Sequence, residues 1–484
     1  MDDYGNKLYN GVLAMQCLIA AALQQLGGSA LASLQFHEVR QGAKQLPARA
    51  TLTFPTDGAA KIMVLFNPTG RTRTNVLVQA VDSAHVCVRG DDGALQPAQI
   101  NPMYQPDLSA RAAGFELVAP VEVPAFAIRV VEIVRDPKCE VTMASVFQST
   151  GGEEQGFPAS TEGASFQLKN ANVECTFQDG LMHQMRPAQE GAKPSSVGEK
   201  FMKYQTSKSG AYIFLPSGPA GAVAPAATRV IKGPYMQIAH SLVSAGRGAK
   251  PNVARLARLA VDDMGPTMEH YVDVTAQSNE EWIVRYDTDF QTGRTLFTEI
   301  NGWTTDRHII RDEKQVPVQT KYFPMPGGAF IEDAQDHRRL SVQGAQPCGV
   351  GSMSEGSVEV MLDRRLTKDD ARGMNEVRYY YAKRKRDRIP APAPAPAIQR
   401  MFRHSVTNAM RLLTSDRLLR HIGCAGNERQ SGDTQQFGSA SRKRGDSDRK
   451  SQKCFAITRR SAGSRGLKST YFATDWQGRC SSPR

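Results

Sequence analysis

The sequence predicts a mainly β protein, in which one N-terminal helix precedes a small and then a large antiparallel β-sandwich, followed by a disordered basic tail. Apolar residues recur at helical spacing near the N-terminus, alternate with polar residues from about residue 50 to about residue 380, and follow no period beyond it. The 484 residues are 40% hydrophobic and 22% charged, which excludes a fibrous or wholly disordered chain.

The first element is a helix predicted from residue 4 to about residue 38. Its apolar residues recur at steps of three and four, and Gly27-Gly28 interrupts the pattern. The residues of this stripe are Leu8, Val12, Met15, Ile19, Leu23 and Leu26.

Short segments of alternating polarity, separated by turn residues, predict the strands of the two sandwiches. In Ser357–Leu362, for example, alternation places Val358, Val360 and Leu362 on one face. The predicted strands of the small sandwich are Ala60–Phe66, Thr74–Ala80, Ala84–Arg89, Phe115–Val118 and Ala127–Val134; those of the large one are Ala211–Leu215, Thr228–Ile231, Tyr235–Ala239, Glu281–Tyr286 and Ser357–Leu362.

The positive charge of the chain lies in its C-terminal part. Residues 383–484 contain 23 Lys and Arg against 7 Asp and Glu, whereas the whole chain has a net charge of +12. This segment begins with Lys383–Arg388 and an alternating Pro-Ala stretch, and is predicted to be disordered because it has too few apolar residues to repay its ordering. A short helix at Gln399–His421 is an alternative within it. Salt-dependent binding of nucleic acid through the tail is a weak hypothesis, because aromatic residues do not interleave its basic clusters.

The cysteines form no zinc or redox motif, because no two lie within four residues of each other. A chain of this size needs no disulfide framework, so the first five cysteines are expected to be free buried thiols and leave the redox compartment open. They are Cys17, Cys87, Cys139, Cys175 and Cys348. The sequence also predicts no membrane-spanning segment and no signal peptide, since Val12–Ala22 follows acidic rather than basic residues.

Four ordered segments carry a family resemblance: Ser209–Pro216 (SGAYIFLP), Arg285–Asp289 (RYDTD), Tyr322–Pro326 (YFPMP) with Ala329–Asp333, and Val358–Leu366 (VEVMLDRRL) with residues 369–373. Together they resemble the C-terminal half of the class II α-mannosidases, glycoside hydrolase family 38, with the Golgi α-mannosidase II branch as the most similar. The resemblance spans about residues 3–373.

The resemblance implies a domain organisation. Residues 1–45 would be the remnant of a helical-bundle middle domain, residues 46–140 the small β-sandwich, residues 141–382 the large β-sandwich that forms the family's C-terminal domain, and residues 383–484 the Pro/Arg/Ser-rich tail. It also implies the lumen of the Golgi or of another secretory compartment as the location.

The implied activity is hydrolysis of α-mannosidic bonds in N-glycan processing, with zinc as the family's cofactor. The family binds its zinc and carries its carboxylic acids in an N-terminal catalytic domain, after which this chain is expected to begin. We therefore expect no catalytic and no metal-ligating residue in this chain, no turnover by the chain alone, and α-mannosides or N-glycans and the missing catalytic domain as its partners.

The resemblance assigns two substrate-binding elements. Tyr212 matches a tyrosine that hydrogen-bonds the sugar, and either Arg364 or Arg365 matches an arginine that lines the same pocket. Because the two arginines are adjacent in a strand, only one of them can point inward. The alternatives are structural: Tyr212 could cover the core, and the arginines could pair with Asp363 and the acidic residues 369–370.

Two other hypotheses remain open from the sequence. One is a non-catalytic module that binds mannose through Tyr212 and an arginine, and the other is the nucleic-acid-binding tail. Asp287 and Asp289 share one face of a predicted strand and could bind a divalent cation, but a solvated strand face is the favoured interpretation.

Overall fold

The fold is that of a computed structural model, which describes residues 2–27, 38–39, 48–368 and 408–414. Short gaps interrupt the third range at 91, 105–110, 152–153, 211, 245–251, 264, 266, 301, 303 and 312–316. It confirms a mainly β protein with one α-helix. The predicted domain boundaries stay predictions.

The helix α1 (Asp2–Gly27) ends at the first glycine of the predicted break, about ten residues before the predicted end of the helix. It lies outside the compact unit formed by residues 36–416 and is described by itself. Most of its apolar stripe is exposed, including Leu8, Val12, Met15, Ile19 and Leu26. Among the residues that the structure describes, no helix combines the length and the apolar character needed to cross a bilayer.

Two short strands, β1 (Glu38–Val39) and β2 (Ala48–Arg49), pair with each other before the small sandwich begins. The strands of the small sandwich are β3 (Ala60–Phe66), β4 (Arg73–Val81), β5 (Val86–Arg89), β6 (Leu95–Gln96), β7 (Ala98–Tyr104), β8 (Arg111–Val123), β9 (Ile128–Arg135) and β10 (Val141–Met143).

The small sandwich consists of two four-stranded sheets, ordered β10-β7-β8-β4 and β3-β9-β5-β6. All pairs are antiparallel except β10 with β7. The predicted strand Ala60–Phe66 has the observed bounds, because its alternate residues Met63 and Leu65 pack against the core between the sheets. That core includes Phe54, Val81, Val86, Ile100, Leu117 and Ile133.

The large sandwich follows. Its strands are β11 (Ser145–Gln148), β12 (Ser165–Lys169), β13 (Val173–Gln178), β14 (Leu181–Pro187), β15 (Ser195–Gln205), β16 (Gly221–Val223), β17 (Pro225–Lys232), β18 (Met236–Val243), β19 (Val253–Ala260), β20 (Thr267–Val274), β21 (Glu280–Thr288), β22 (Thr295–Ile300), β23 (Thr304–Ile309), β24 (Tyr322–Met325), β25 (Gly328–Glu332), β26 (Arg339–Gly344), β27 (Cys348–Gly351), β28 (Ser357–Arg365) and β29 (Asn408–Thr414), with a 3₁₀ turn at Val318–Lys321.

Two large sheets enclose its core. One has ten strands, ordered β11-β17-β18-β19-β20-β29-β26-β25-β22-β23, and the other has nine, ordered β12-β13-β14-β15-β21-β28-β27-β24 with β16 beside β15. As predicted, Val358, Val360 and Leu362 of β28 share the buried face. We call the opposite face of the nine-stranded sheet the outer face.

The strand β29 corrects the interpretation of the tail. Residues 408–414 pair with β20 on one side and β26 on the other, so this segment is neither disordered nor part of a helix at Gln399–His421. The segment joins the ten-stranded sheet by pairing with two strands that are distant in the sequence, and local periodicity does not reveal such pairing. The other residues of the tail lie outside the described residues.

The expectation of free buried thiols is wrong for four of the five cysteines. Cys87 and Cys139 form a disulfide, Cys17 is exposed and Cys348 is half-buried. Of these five described cysteines, only Cys175 is a free and fully buried thiol, and burial raises its pKa. A chain of this size does not need a disulfide for its stability, but two cysteines that the fold brings together can still form one.

The two sandwiches pack together through a small apolar cluster that includes Val118, Ile231, Met236 and Ile238. Gln99 of β7 reinforces this junction, because its side chain donates to the carbonyl of Met236 at 2.9 Å and accepts from the same residue's N–H at 2.9 Å. The junction therefore buries a satisfied amide instead of an unpaired one.

A buried histidine beside this junction makes stability depend on pH. His240 of β18 is 3% exposed, and its Nδ1 lies 3.2 Å from the guanidinium of Arg229. Because a guanidinium only donates hydrogen bonds, Nδ1 is the accepting nitrogen. Burial, followed by the charges of Arg229 and Arg255, lowers the pKa of His240 to about 3.

We expect the free energy of unfolding to fall as the pH decreases below about 6.5, the ordinary pKa of histidine. In this range His240 binds a proton in the unfolded chain but not in the folded chain. The free energy of unfolding therefore decreases by about 2 kcal/mol between pH 7 and pH 5. Replacing His240 by leucine should flatten this slope, which urea denaturation at a series of pH values would measure. An unchanged slope in His240→Leu would show that folding does not lower the pKa of His240.

Candidate functional site

Parts of all four segments that carry the family resemblance lie in or beside the nine-stranded sheet, whereas Ala329–Asp333 belongs to β25 of the ten-stranded sheet. Arg285–Asp289 continues β21, Tyr322–Pro326 includes β24, and Val358–Leu366 includes β28. The segment Ser209–Pro216 lies in the connection between β15 and β16, which we call the 206–217 loop. Segments that are up to 150 residues apart in the sequence thus form one surface.

Tyr212 projects from the 206–217 loop and is 63% exposed. Residues 212–215 form no strand, so the predicted strand Ala211–Leu215 is wrong, and the alternative of a strand aromatic that covers the core is wrong as well. The sequence is misleading here because the apolar residues of this segment resemble those of a strand, whereas Phe214 packs from the loop against Tyr204 and Tyr322 of the neighbouring strands. An exposed phenol can donate to and accept from sugar hydroxyl groups.

Arg364 lies directly beneath this loop. Its Nε donates to Glu281 at 2.8 Å, and its Nη2 donates to the backbone carbonyls of Ile213 at 3.0 Å and Gly210 at 3.3 Å. Arg365 is placed differently, since its Nη1 donates to the carbonyl of Ala276 at 3.1 Å. Of the two candidate arginines, the structure therefore brings Arg364 next to Tyr212.

A β-bulge explains why Arg364 reaches the outer face. Trp282 of β21 is opposite Asp363 of β28, while the next residue, Ile283, is opposite Met361, so Leu362 is the extra residue. A bulge shifts the alternation of the side chains that follow it. Without it, strict alternation from Glu359 would place Asp363 and Arg365 on the outer face.

Glu281 is the buried partner of Arg364, with a side chain that is not exposed to solvent. Burial raises the pKa of the Glu281 carboxyl, and the charge of Arg364 and hydrogen bonds from Arg364 and Ser209 oppose this rise. The hydroxyl of Ser209 donates to the second carboxylate oxygen at 3.1 Å. The sequence left open a pairing of the arginines with Asp363 and residues 369–370. In the structure the carboxylate that pairs with the side chain of Arg364 is that of Glu281. Residues 369–370 lie outside the described residues.

A second buried carboxylate, Glu359, is adjacent on the same face. It accepts hydrogen bonds from the hydroxyls of Tyr204 at 2.7 Å and Tyr322 at 2.5 Å, and from the Nε of Arg285 at 2.7 Å. Burial, together with the charge of Glu359, raises the pKa of both tyrosines far above the ordinary value, so they remain neutral donors.

Phe214 joins the loop to this cluster. Its ring makes edge contacts with the ring of Tyr204, at a centroid distance of 5.4 Å, and with that of Tyr322, at 5.1 Å. Such arrangements are favourable beyond the area they bury. The loop is therefore anchored to the sheet by an aromatic side chain as well as by Arg364.

The carboxylates of this surface are unsuited to acid–base or nucleophilic work on a sugar. Glu281 and Glu359 are fully buried and each is paired with an arginine. Asp287 and Asp289 do not form a cation site either, because Asp287 pairs with Lys200 at 2.7 Å and Asp289 with Arg338 at 3.1 Å.

The described part of the chain does not fit a zinc ion. No group of three or more His, Cys, Asp and Glu side chains within it could hold a metal. Zinc requires such a cluster of nitrogen, sulfur and oxygen ligands. No step of a reaction that uses zinc can therefore be assigned to these residues.

Sequence reasoning missed Glu281, Glu359, Tyr204 and Phe214. One signal was present: Glu359 interrupts the apolar segment Ser357–Leu362, and a carboxylate in such a strand is buried only with a partner. Identifying the partner, however, requires the register of β21 against β28, including the bulge.

The comparisons with known proteins agree with this geometry. Residues 168–372 match the family model "Glycosyl hydrolases family 38 C-terminal domain". The chain is 29% identical over 404 residues to Alpha-mannosidase 2x of Mus musculus and 26% identical over 404 residues to Alpha-mannosidase 2 of Arabidopsis thaliana, covering 77% and 78% of this chain. It is 32% identical over 218 residues to Alpha-mannosidase 2 of Drosophila melanogaster, covering 44% of this chain and 18% of that protein.

The chain spans about a third of the length of the mouse and Arabidopsis relatives, at 34% of each. The resemblance identified in the sequence is confirmed. The chain is thus similar to the alpha-mannosidases 2 over about 77% of its length, and its residues 168–372 match the C-terminal domain of glycosyl hydrolases family 38.

Proposed function

We propose that this chain supplies the C-terminal scaffold and part of the sugar-binding surface of a class II α-mannosidase that hydrolyses α-mannosidic bonds in N-glycans. The observation that carries the proposal is the exposed Tyr212 on a loop that Arg364 of β28 and Tyr322 of β24, from two other family segments, hold to the sheet. The phenol of Tyr212 would hydrogen-bond a mannose hydroxyl, and Arg364 would complete the same surface.

Bond cleavage itself is assigned to a separate, zinc-bearing catalytic domain. A retaining mechanism needs two carboxyl groups about 5–5.5 Å apart across the scissile bond. Glu281 and Glu359, the carboxylates beneath the 206–217 loop, are buried in arginine pairs and cannot reach a substrate. The pairing of these carboxylates supports a chain that binds the sugar without cleaving the bond.

Purified chain is accordingly expected to release no aglycone from 4-nitrophenyl α-mannoside, with or without added zinc. The assay measures absorbance of nitrophenolate, and the Drosophila relative serves as the positive control. Release of nitrophenolate by this chain that swainsonine inhibits would refute the assignment of catalysis to another domain.

Replacement of Tyr212 by phenylalanine is expected to weaken mannose binding about fivefold, because one neutral hydrogen bond is lost. Saturation-transfer NMR with mannose measures the dissociation constants directly. Tryptophan fluorescence is a poor reporter, since Trp282 is fully buried in the core. Equal affinity of Tyr212→Phe and the parent chain would remove Tyr212 from the site.

A reconstitution assay distinguishes the alternative of a non-catalytic mannose-binding sandwich. Addition of the zinc-bearing domain of a relative should restore hydrolysis if the chain is part of an enzyme. Mannose binding that never leads to turnover in that mixture would favour the binding module.

We further propose the lumen of the Golgi or of another secretory compartment as the location. The disulfide between Cys87 and Cys139 supports this proposal, because such bonds persist in oxidising compartments and are rare in the cytosol. The relatives are alpha-mannosidases 2, which agrees with N-glycan processing in that pathway.

A further inference from the structure

We infer that the Arg364–Glu281 pair is a positioning device that fixes the 206–217 loop so that Tyr212 projects from the outer face. The inference rests on the proposed function, since it concerns how the sugar contact is presented. In this role Glu281 does not contact the sugar, and Arg364 acts by binding backbone carbonyls of the loop.

Arg364 contacts the backbone of the loop before and after Tyr212. One nitrogen, Nη2 of Arg364, donates to the carbonyls of Gly210 and Ile213, which lie on either side of Tyr212 in the sequence. The N–H of Gly210 also donates to the carbonyl of Ile213 at 3.0 Å. The turn is closed by its own backbone and held to the sheet by the guanidinium.

Glu281 contacts the same turn through the hydroxyl of Ser209. Glu281 accepts from the hydroxyl of Ser209, which in turn accepts from the N–H of Leu215 at 2.8 Å. Thr206 closes the loop again, because its hydroxyl donates to the carbonyl of Leu215 at 3.0 Å and accepts from the N–H of Ser209 at 2.9 Å. The pair thus contacts the loop before and after Tyr212.

Only arginine can make these contacts at once. Its planar guanidinium donates from Nε to Glu281, while Nη2 lies 2.7 Å from the same carboxylate and also donates to the two carbonyls. The ammonium of lysine lies one bond short of the Nη2 position and has no second nitrogen, so it cannot keep the full set of contacts. The charge of the pair is also compensated without help from a ligand, so the loop is ordered before the sugar arrives. Such preorganisation reduces the entropy lost on binding.

Hydrogen exchange of the purified chain tests the inference. In Arg364→Lys, the amides of Ser209, Gly210 and Leu215 should exchange at least tenfold faster, while those of β21 and β28 remain protected. The matched control is Arg186→Lys, which alters an arginine–glutamate pair between β13 and β14 of the same sheet that holds no loop. Unchanged exchange of the loop in Arg364→Lys would overturn the inference.

A second variant and the sugar complete the design. Ser209→Ala removes only the hydroxyl that accepts from the N–H of Leu215, so the amide of Leu215 should exchange faster. This variant keeps the test valid if Arg364→Lys loosens the strands themselves. Unchanged exchange of Leu215 would contradict the inference. Mannose affinity should fall in Arg364→Lys, together with the loss of loop protection. Tyr212→Phe should weaken mannose binding with unchanged exchange, and a failure of this variant alone counts against the proposed function and not against the positioning role.

Discussion

Replacement of Arg255 by methionine is expected to lower the free energy of unfolding of the large sandwich by about 3–5 kcal/mol, because it leaves a buried carboxylate without its counter-charge. Arg255 of β19 and Glu199 of β15 are both fully buried and form an ion pair. The two strands belong to opposite sheets, so the pair crosses the core between them.

The surroundings of Glu199 show why its charge depends on Arg255. Burial raises the pKa of Glu199, but the charge of Arg255 and the neighbouring His270 outweigh this effect and hold the pKa well below its ordinary value. The carboxylate also accepts from the N–H of Met182 at 3.0 Å. Without Arg255, the N–H of Met182 and the imidazole of His270, whose Nδ1 lies 3.3 Å from the carboxylate, would face a buried charge without its guanidinium partner.

The dependence on pH distinguishes the lost ion pair from simple loss of packing. In the parent chain, the contribution of Glu199 is present above the pKa of a glutamate in the unfolded chain, about 4.3, and disappears as the pH falls through the lower folded pKa. Arg255→Met has lost this contribution already. The difference in free energy of unfolding between the two proteins should therefore decrease below pH 4.

Urea denaturation at pH 7 and at lower pH measures both effects. Arg255→Met combined with Glu199→Met should recover most of the stability, since a well-packed apolar pair replaces a buried ion pair at little cost. Arg186→Met, which removes an exposed pair with Glu174, should cost less than about 1 kcal/mol. A cost of less than 1 kcal/mol for Arg255→Met would show that the ion pair does not determine the stability of the core.

Much of the fold follows from local periodicity in the sequence. The bounds of β3 are predicted to the residue, and β28 is predicted with its buried face, because each strand has one apolar face that packs on a core. The strand β29 could not be predicted in this way. Its sequence NAMRLLT also suits a helix, and pairing with β20 and β26 decides its conformation.

The site could be predicted only in part. Tyr212 follows from the resemblance, but its exposure depends on a loop whose residues alternate like those of a strand. The choice between Arg364 and Arg365 depends on one extra residue in β28, and nothing in the segment VEVMLDRRL marks Leu362 as a bulge. Register is a property of two strands and is therefore absent from the pattern of one.

Removal of the disulfide by the double variant Cys87→Ala and Cys139→Ala is expected to lower the free energy of unfolding by about 4 kcal/mol, the loop-closure entropy for a separation of 52 residues. The bond forms because Cys87 lies on β5 beside β9, and Cys139 follows β9 by a turn. Urea denaturation with and without dithiothreitol measures the effect. Peptide mapping under non-reducing conditions should recover the two cysteines in one linked pair.

Dithiothreitol should lower the stability of the parent chain and leave that of the double variant unchanged, which separates the bond from other effects of the reductant. Cys87 is fully buried and Cys139 is 9% exposed, so reduction should require opening of the small sandwich and should be slow in the absence of urea. Labelling of Cys87 by iodoacetamide in urea without reductant would show that the bond is absent. Because a bond so placed forms where thiols are oxidised, that result would also remove the structural support for a secretory location.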